Sequence, residues 1–235
     1  MRLFKHFSSF ILLFYSISIP AQFIPERYFT QDVAHYRFEI TLNDTTDEIN
    51  GDATLLVRFR FPTDTITLDL SDKMNVKEVK NEKGIHLNFR QHNDLIHISL
   101  PQKGVTGGST TLKISYKGIP EDGLIIGKNK YGDRTFFGDN WPNRAHQWLP
   151  CNDHPSDKAT VEFVVTAPEH YDVVSNGEKI QEYPNSSGFK TSHWREKVPL
   201  PTKVMVIGVA RFAKEYHGLV KGIPSSSWAF PQNRK

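Results

Sequence analysis

The sequence predicts an all-β chain: an antiparallel β-sandwich, saddle-like, with two or more packed sheets. Three observations predict it. Short runs with period-two alternation recur from Ala34 onward, turn-forming pairs stand between them at spacings of roughly ten residues, and no segment carries the apolar period of an amphipathic helix. Alternation turns one face of a strand toward a core and the other toward water.

Taken in order, His35 to Leu42 alternates Tyr36, Phe38, Ile40 and Leu42 with charged and polar partners, and Asn50-Gly51 marks an expected turn. Further strands are expected at 53–61, 65–70, 95–100 and 110–116, with turns at Lys83-Gly84 and Gly107-Gly108. Alternation then stops, and from Lys117 to Pro155 Gly, Pro, Asp, Asn and aromatics accumulate. Irregular stretches of this length inside a domain are usually functional or lie at a contact. Strands resume at 159–166, 189–194 and 204–212, around turns at Asn176-Gly177 and Ser187-Gly188. In 225–235 no terminal element is recognisable, and Trp228 and Phe230 are expected to pack against something outside the chain.

The N-terminus reads as an address. Arg2, Lys5 and His6 precede the apolar run Phe7–Ile19, too short to span a bilayer, and Pro20-Ala21 follows with a small residue suited to a signal peptidase. A signal peptide is therefore expected at 1–21, with export to the periplasm, the outer surface or the medium, no transmembrane segment, and a mature domain over 22–224. Composition excludes other classes. The chain has 235 residues, 38% hydrophobic and 23% charged, with 16 Phe, which is globular usage. A net charge of +3 without a basic stripe argues against nucleic acid, and a single Cys allows no internal disulfide.

A search for chemistry returns little. The helical HExxH zinc motif and the Gly-x-Ser-x-Gly elbow are absent from the sequence. His92 and His97, five positions apart, would lie on opposite faces of one strand and could not clasp an ion. Cys151, in the Pro-flanked turn Leu149-Pro-Cys-Asn-Asp-His-Pro155, reads as a packing residue rather than a nucleophile. Catalytic and metal-ligating residues are therefore expected to be none.

The segment from Leu149 to Pro168 is more specific. Leu149-Pro150-Cys151, Asp153, Pro155, Lys158-Ala159-Thr160 and Thr166-Ala-Pro168 stand in order, with the Ser175-Asn-Gly177 turn and the run Pro199 to Gly208 after them. This arrangement resembles the N-terminal β domain of the aminopeptidase N and leukotriene hydrolase family of zinc metallopeptidases, over roughly Tyr36 to Phe230. Pro150 and Pro155 fix φ and interrupt pairing, and Asp153 between them can accept backbone N–H groups. Pro150, Cys151, Asp153, Pro155 and Lys158 are therefore read as a structural corner.

The resemblance implies a division of labour. In the family the zinc ligands, the general base and the Gly-x-Met-Glu-Asn strand belong to a thermolysin-like catalytic domain that follows this one. The implied partners are that domain and, through it, a peptide substrate; the implied cofactor is zinc there and none here. On this reading residues 225–235 begin the link between the two, and the chain alone hydrolyses no peptide. The family's N-terminal domain also lends one acidic or amide side chain to the substrate's α-amine. Ungapped spacing puts that position on Trp141, so its neighbours Asp139 and Asn140 are the candidates. The other reading is a secreted carbohydrate- or protein-binding module using Trp141, Trp148, Trp194 or Trp228 as a stacking platform.

Overall fold

The computed structural model describes residues 25–185 and 188–234; the signal peptide expected at 1–21 lies outside them. A helical turn, α1 (Arg27–Thr30), leads into β1 (Gln31–Thr41) and β2 (Ile49–Phe59), followed by β3 (Thr63–Asp69), β4 (Met74–Asn81), β5 (Phe89–His92), β6 (Leu95–Gly104) and β7 (Ser109–Gly118). Next come β8 (Leu124–Lys128), β9 (Arg134–Gly138) and, beyond the irregular stretch, β10 (Lys158–Pro168). The chain continues through β11 (Asp172–Ser175), β12 (Glu178–Pro184), β13 (Phe189–Pro201), β14 (Ile207–Ala210), β15 (Ala213–Val220) and β16 (Ile223–Ala229). The expected all-β class holds. Among the described residues no helix is long and apolar enough to cross a membrane.

The strands form a seven-stranded sheet in the order β12-β13-β10-β1-β2-β7-β4, a four-stranded sheet β11-β14-β9-β8, a three-stranded sheet β3-β6-β5, and the two-stranded pair β15-β16. The first three share one core: Phe38, Leu55 and Ile114 from the large sheet, Ile66, Leu68 and Ile98 from the small one, and Phe136 and Val209 from the third are all within 1% of complete burial. The alternation in β2 explains its inward set, since Ala53, Leu55, Val57 and Phe59 are buried while Asp52 and Arg58 are exposed.

Several local expectations are corrected. Asn50-Gly51 is no turn but lies inside β2, where Gly51 pairs with Tyr116; a Cβ on Gly51 would sit 2.3 Å from the Tyr116 ring, so glycine is there to let the ring cross the strand. The sheets are not wholly antiparallel either, because β1 pairs with β10 in parallel, Phe38 opposite Phe163. β10 is buried on both faces between β1 and β13, which explains its near-continuous apolar sequence. Trp228 and Phe230 pack inside the chain: Trp228 meets Trp194 and Phe212, and Phe230 stacks on Phe212. Part of the stretch expected as linker is strand, namely the C-terminal portion of β16.

His92 and His97 are also corrected. Asn93 and Asp94 take φ of 53° and 57° and fold the chain into a tight hairpin, so the histidines occupy two strands and their rings stand 5.1 Å apart.

Candidate functional site

The irregular stretch is held from below by two buried side chains. Asp153 is the first. Its Oδ2 accepts the backbone N–H of His146 at 3.1 Å and the ring Nδ1–H at 2.7 Å, and its Oδ1 accepts the Thr202 hydroxyl at 2.7 Å. With its amide nitrogen turned inward, Asn143 donates to the same carboxylate at 2.9 Å. The Asp153 N–H donates to Asp69 Oδ2 at 2.9 Å, and Asp69 also takes Arg27 at 2.7 Å. Burial alone would lower the His146 ring, but the Asp153 carboxylate outweighs it and the net shift is upward.

The corner expected from Pro150 to Lys158 is built around this carboxylate. Cys151 exchanges both backbone hydrogen bonds with Asp69, which ties the corner to the end of β3. Its side chain is fully buried, and burial pushes the thiol well up, away from the reactive thiolate. Pro150 is buried and Pro155 exposed, and Lys158, exposed, opens β10 opposite Pro201. The Asn152 amide donates to Asp157 Oδ2 at 2.5 Å, and burial raises the Asp157 carboxyl to about 6.

Asn140 is the second brace. It is 1% exposed, and its Nδ2 donates to the carbonyls of Thr202 at 3.0 Å and Met205 at 2.7 Å. Its Oδ1 accepts the Trp148 indole N–H at 2.8 Å. The amide is thus fully engaged within the domain. Asp139, next along, points the other way: its side chain is 54% exposed and its Oδ2 accepts from Arg144 Nη2 at 2.7 Å. Arg144 also donates to Asp122 at 3.1 Å and to the Trp141 carbonyl at 2.7 Å. The Asp139 and Asp122 carboxylates therefore share one guanidinium at the loop surface. Trp141 stands beside them, 59% exposed, with Lys203 Nζ 4.3 Å above its ring.

The resemblance to the peptidase family points to Asp139, Asn140 and Asp153 and gives no signal for His146, Thr202, Asp69 and Arg27. Arg27 comes from α1, Asp69 from the end of β3 and Thr202 from the turn after β13, while His146 stands seven residues before Asp153, and no local pattern announces them.

The described residues do not bring together the ligand set of a zinc centre. Among the described residues no group of three or more His, Cys, Asp or Glu could hold a metal ion. His146 gives its Nδ1 to Asp153, Cys151 is buried as a thiol, and His92 with His97 is only a pair.

Comparison with known proteins places the chain. The Peptidase M1 N-terminal domain family matches residues 33–204. Among solved structures, the M1 zinc metallopeptidase from Deinococcus radiodurans is 29% identical with a TM-score of 0.72, the match covering 80% of this chain and 44% of that one. A mutant of it bound to a Tyr-Ser-Ala substrate, at 28% identity, and a two-domain M1 zinc metallopeptidase mutant bound to L-arginine, also at 28%, give the same TM-score of 0.72 and the same coverage of 80% and 44%. The chain thus spans less than half the length of these structures. No curated protein matches.

Proposed function

Because this chain belongs to the Peptidase M1 N-terminal domain family, we propose that it serves as the scaffold and one wall of the substrate cleft of an exported zinc metallo-aminopeptidase. A metallopeptidase half supplies the zinc and the catalytic groups, and the substrate is a peptide with a free N-terminus. The carrying observation is the contrast between neighbours: Asn140 spends its whole amide on Thr202, Met205 and Trp148, whereas Asp139 faces solvent. A buried brace beneath an exposed carboxylate is how a loop holds a charge in place for a ligand. Asp139, with Asp122 behind the shared Arg144, presents negative charge that suits an α-ammonium group. Asn140 acts as the positioning residue.

Export rests on the charged and apolar pattern of residues 1–21. The carbohydrate reading has less support from the geometry. Trp148 and Trp194 are 0% and 8% exposed, Lys203 lies over Trp141, and Lys214 and Lys179 lie 5.2 and 6.0 Å from the Trp228 ring centroid. A sugar would have to displace an ammonium group to stack on either accessible ring.

The test is to join this chain to the metallopeptidase half of the D. radiodurans enzyme and assay amino-acid arylamides. Asp139→Ala is expected to raise KM about tenfold with a smaller change in kcat, the loss of one exposed charge contact. An unchanged KM in Asp139→Ala and Asp122→Ala alike would remove this loop from substrate recognition.

A further inference from the structure

We propose that His92 and His97 are the two protein ligands of a divalent transition-metal ion, Cu²⁺ most tightly, carried on the outer face of the three-stranded sheet β3-β6-β5. Five positions apart in sequence, the two rings would point to opposite faces of one continuous strand. The turn at Asn93 and Asp94 places them instead on β5 and β6, where Arg90 pairs with His97 and His92 with Leu95. Paired residues of a ladder share a side, so Arg90, His92, Leu95 and His97 stand on one face. Ile96 and Ile98, on the other face, are fully buried in the core.

The separation of the rings suits a chelate. A metal–nitrogen bond of about 2.0–2.1 Å holds the centre of an imidazole about 3.2 Å from the ion, so two rings bound at about 90–109° have centres about 4.5–5.2 Å apart. The observed centres are 5.1 Å apart, with the ring planes inclined by 37°. His97 is also held in orientation. Its Nδ1 lies 3.1 Å from the Thr67 Oγ1, and a ring that donates this N–H to the hydroxyl keeps the Nε2 lone pair for an ion. Among the described residues no hydrogen-bond partner occupies the His97 Nε2 or either nitrogen of His92.

A ligating imidazole must be neutral. Burial first, and then His92, Arg90 and Arg27, lower the His97 ring from its ordinary 6.5, so it gives up its proton readily. The same arginines oppose a dication, and Arg90 faces His97 directly, so the site selects an ion that bonds strongly to nitrogen. Mg²⁺ and Ca²⁺ require oxygen ligands that this pair lacks, whereas imidazole suits Cu²⁺, Ni²⁺ and Zn²⁺, with Cu²⁺ first in affinity. Water completes the coordination, because among the described residues no third His, Cys, Asp or Glu joins the two rings. An ion held this way ties β5 to β6 across the hairpin and stabilises the folded chain by mass action.

The test titrates the whole chain, without an affinity tag, with Cu²⁺ alone. One equivalent is expected to bind and to raise the thermal midpoint, and the electron paramagnetic resonance spectrum should show two nitrogen ligands. His92→Gln and His97→Gln should each weaken binding by ~10-fold or more and abolish the rise in midpoint, and Thr67→Val should weaken it by less. His86→Gln, at an exposed histidine between β4 and β5, should change neither. Unchanged affinity in His92→Gln or His97→Gln, a spectrum with a single nitrogen ligand, or an equal loss in His86→Gln overturns the proposal. Should His97→Gln fail to fold, His92→Gln, whose ring is exposed at the hairpin, decides together with the spectrum.

Discussion

Asn140 Oδ1 accepts the indole N–H of Trp148 at 2.8 Å, with both side chains buried. The same amide holds two carbonyls from the segment between β13 and β14, so one side chain joins three stretches of backbone. Asn140→Ala leaves the Trp148 indole N–H and the Met205 carbonyl unpaired, while the Thr202 carbonyl keeps the Met205 N–H, and is expected to cost about 3 kcal/mol. Asp139→Ala, which removes an exposed ion pair, should cost under about 1 kcal/mol. Urea unfolding of the two variants checks the contrast; equal midpoints would show that Asn140 is no brace.

Asp157 makes stability depend on pH. Its carboxyl is raised from 3.8 to about 6, first by burial and also by nearby Asp32, against the pull of Asn152, Val33 N–H and Arg60. The folded state holds the proton more tightly than the unfolded chain, so this contribution is complete below pH 3.8 and is lost as pH rises through about 6. The loss amounts to roughly 3 kcal/mol. Asp157 Oδ1 and Asn152 Oδ1 are both buried without a donor among the described residues, as a site that carries a proton requires. Asp157→Asn should therefore be more stable than the parent at pH 8 and lose that advantage at pH 4. Parallel stability curves from pH 4 to 8 would rule the coupling out.

His146 is raised as well, from 6.5, because Asp153 outweighs the burial that would lower it. Its stabilising contribution is complete below pH 6.5 and is lost as pH climbs through the raised value. His146→Gln should lose most relative to the parent in mild acid and least above pH 8. Measuring the ring titration by NMR gives the direct check, and a midpoint at or below 6.5 contradicts it.

Gly123 and Gly132 separate two reasons for glycine. Gly123 has φ of 74°, and a Cβ there would lie 2.1 Å from the Arg144 carbonyl oxygen, whereas Gly132 has φ of 90° in open space. Gly132→Ala should cost about 1 kcal/mol for backbone strain alone. Gly123→Ala must also push the Arg144 backbone away and should cost upwards of ~3 kcal/mol. The comparison is made in thermal melts; similar shifts in both would mean the loop yields freely.

Much of this molecule can be read from its residues, and the limits have physical causes. Alternation exposes β1, β2, β3 and β7 because each has one wet face. It fails for β12, exposed along its whole length, and for the short β8, β9 and β11, where few residues carry the period. Asn50-Gly51 misleads because glycine serves the Tyr116 ring there rather than a turn. The Pro150 to Lys158 corner is legible as a motif, since its prolines and Asp act locally. Its partners Asp69, His146 and Thr202 are chosen by the tertiary fold. Asp139 and Asn140 are adjacent and chemically alike on paper, and only the fold turns one inward and the other out.

The parallel pairing of β1 with β10 has a consequence for how the chain is made. Arg37 meets Glu162 across 125 residues of sequence, and this contact lies at the centre of the seven-stranded sheet. Loop closure over that distance must precede any completed sheet, so the large sheet is completed only once β10 has been made. A ribosome that has released only the first 150 residues holds β1 and β2 without their central neighbour. The large sheet therefore stays open at the inner edge of β1 until most of the chain has been delivered.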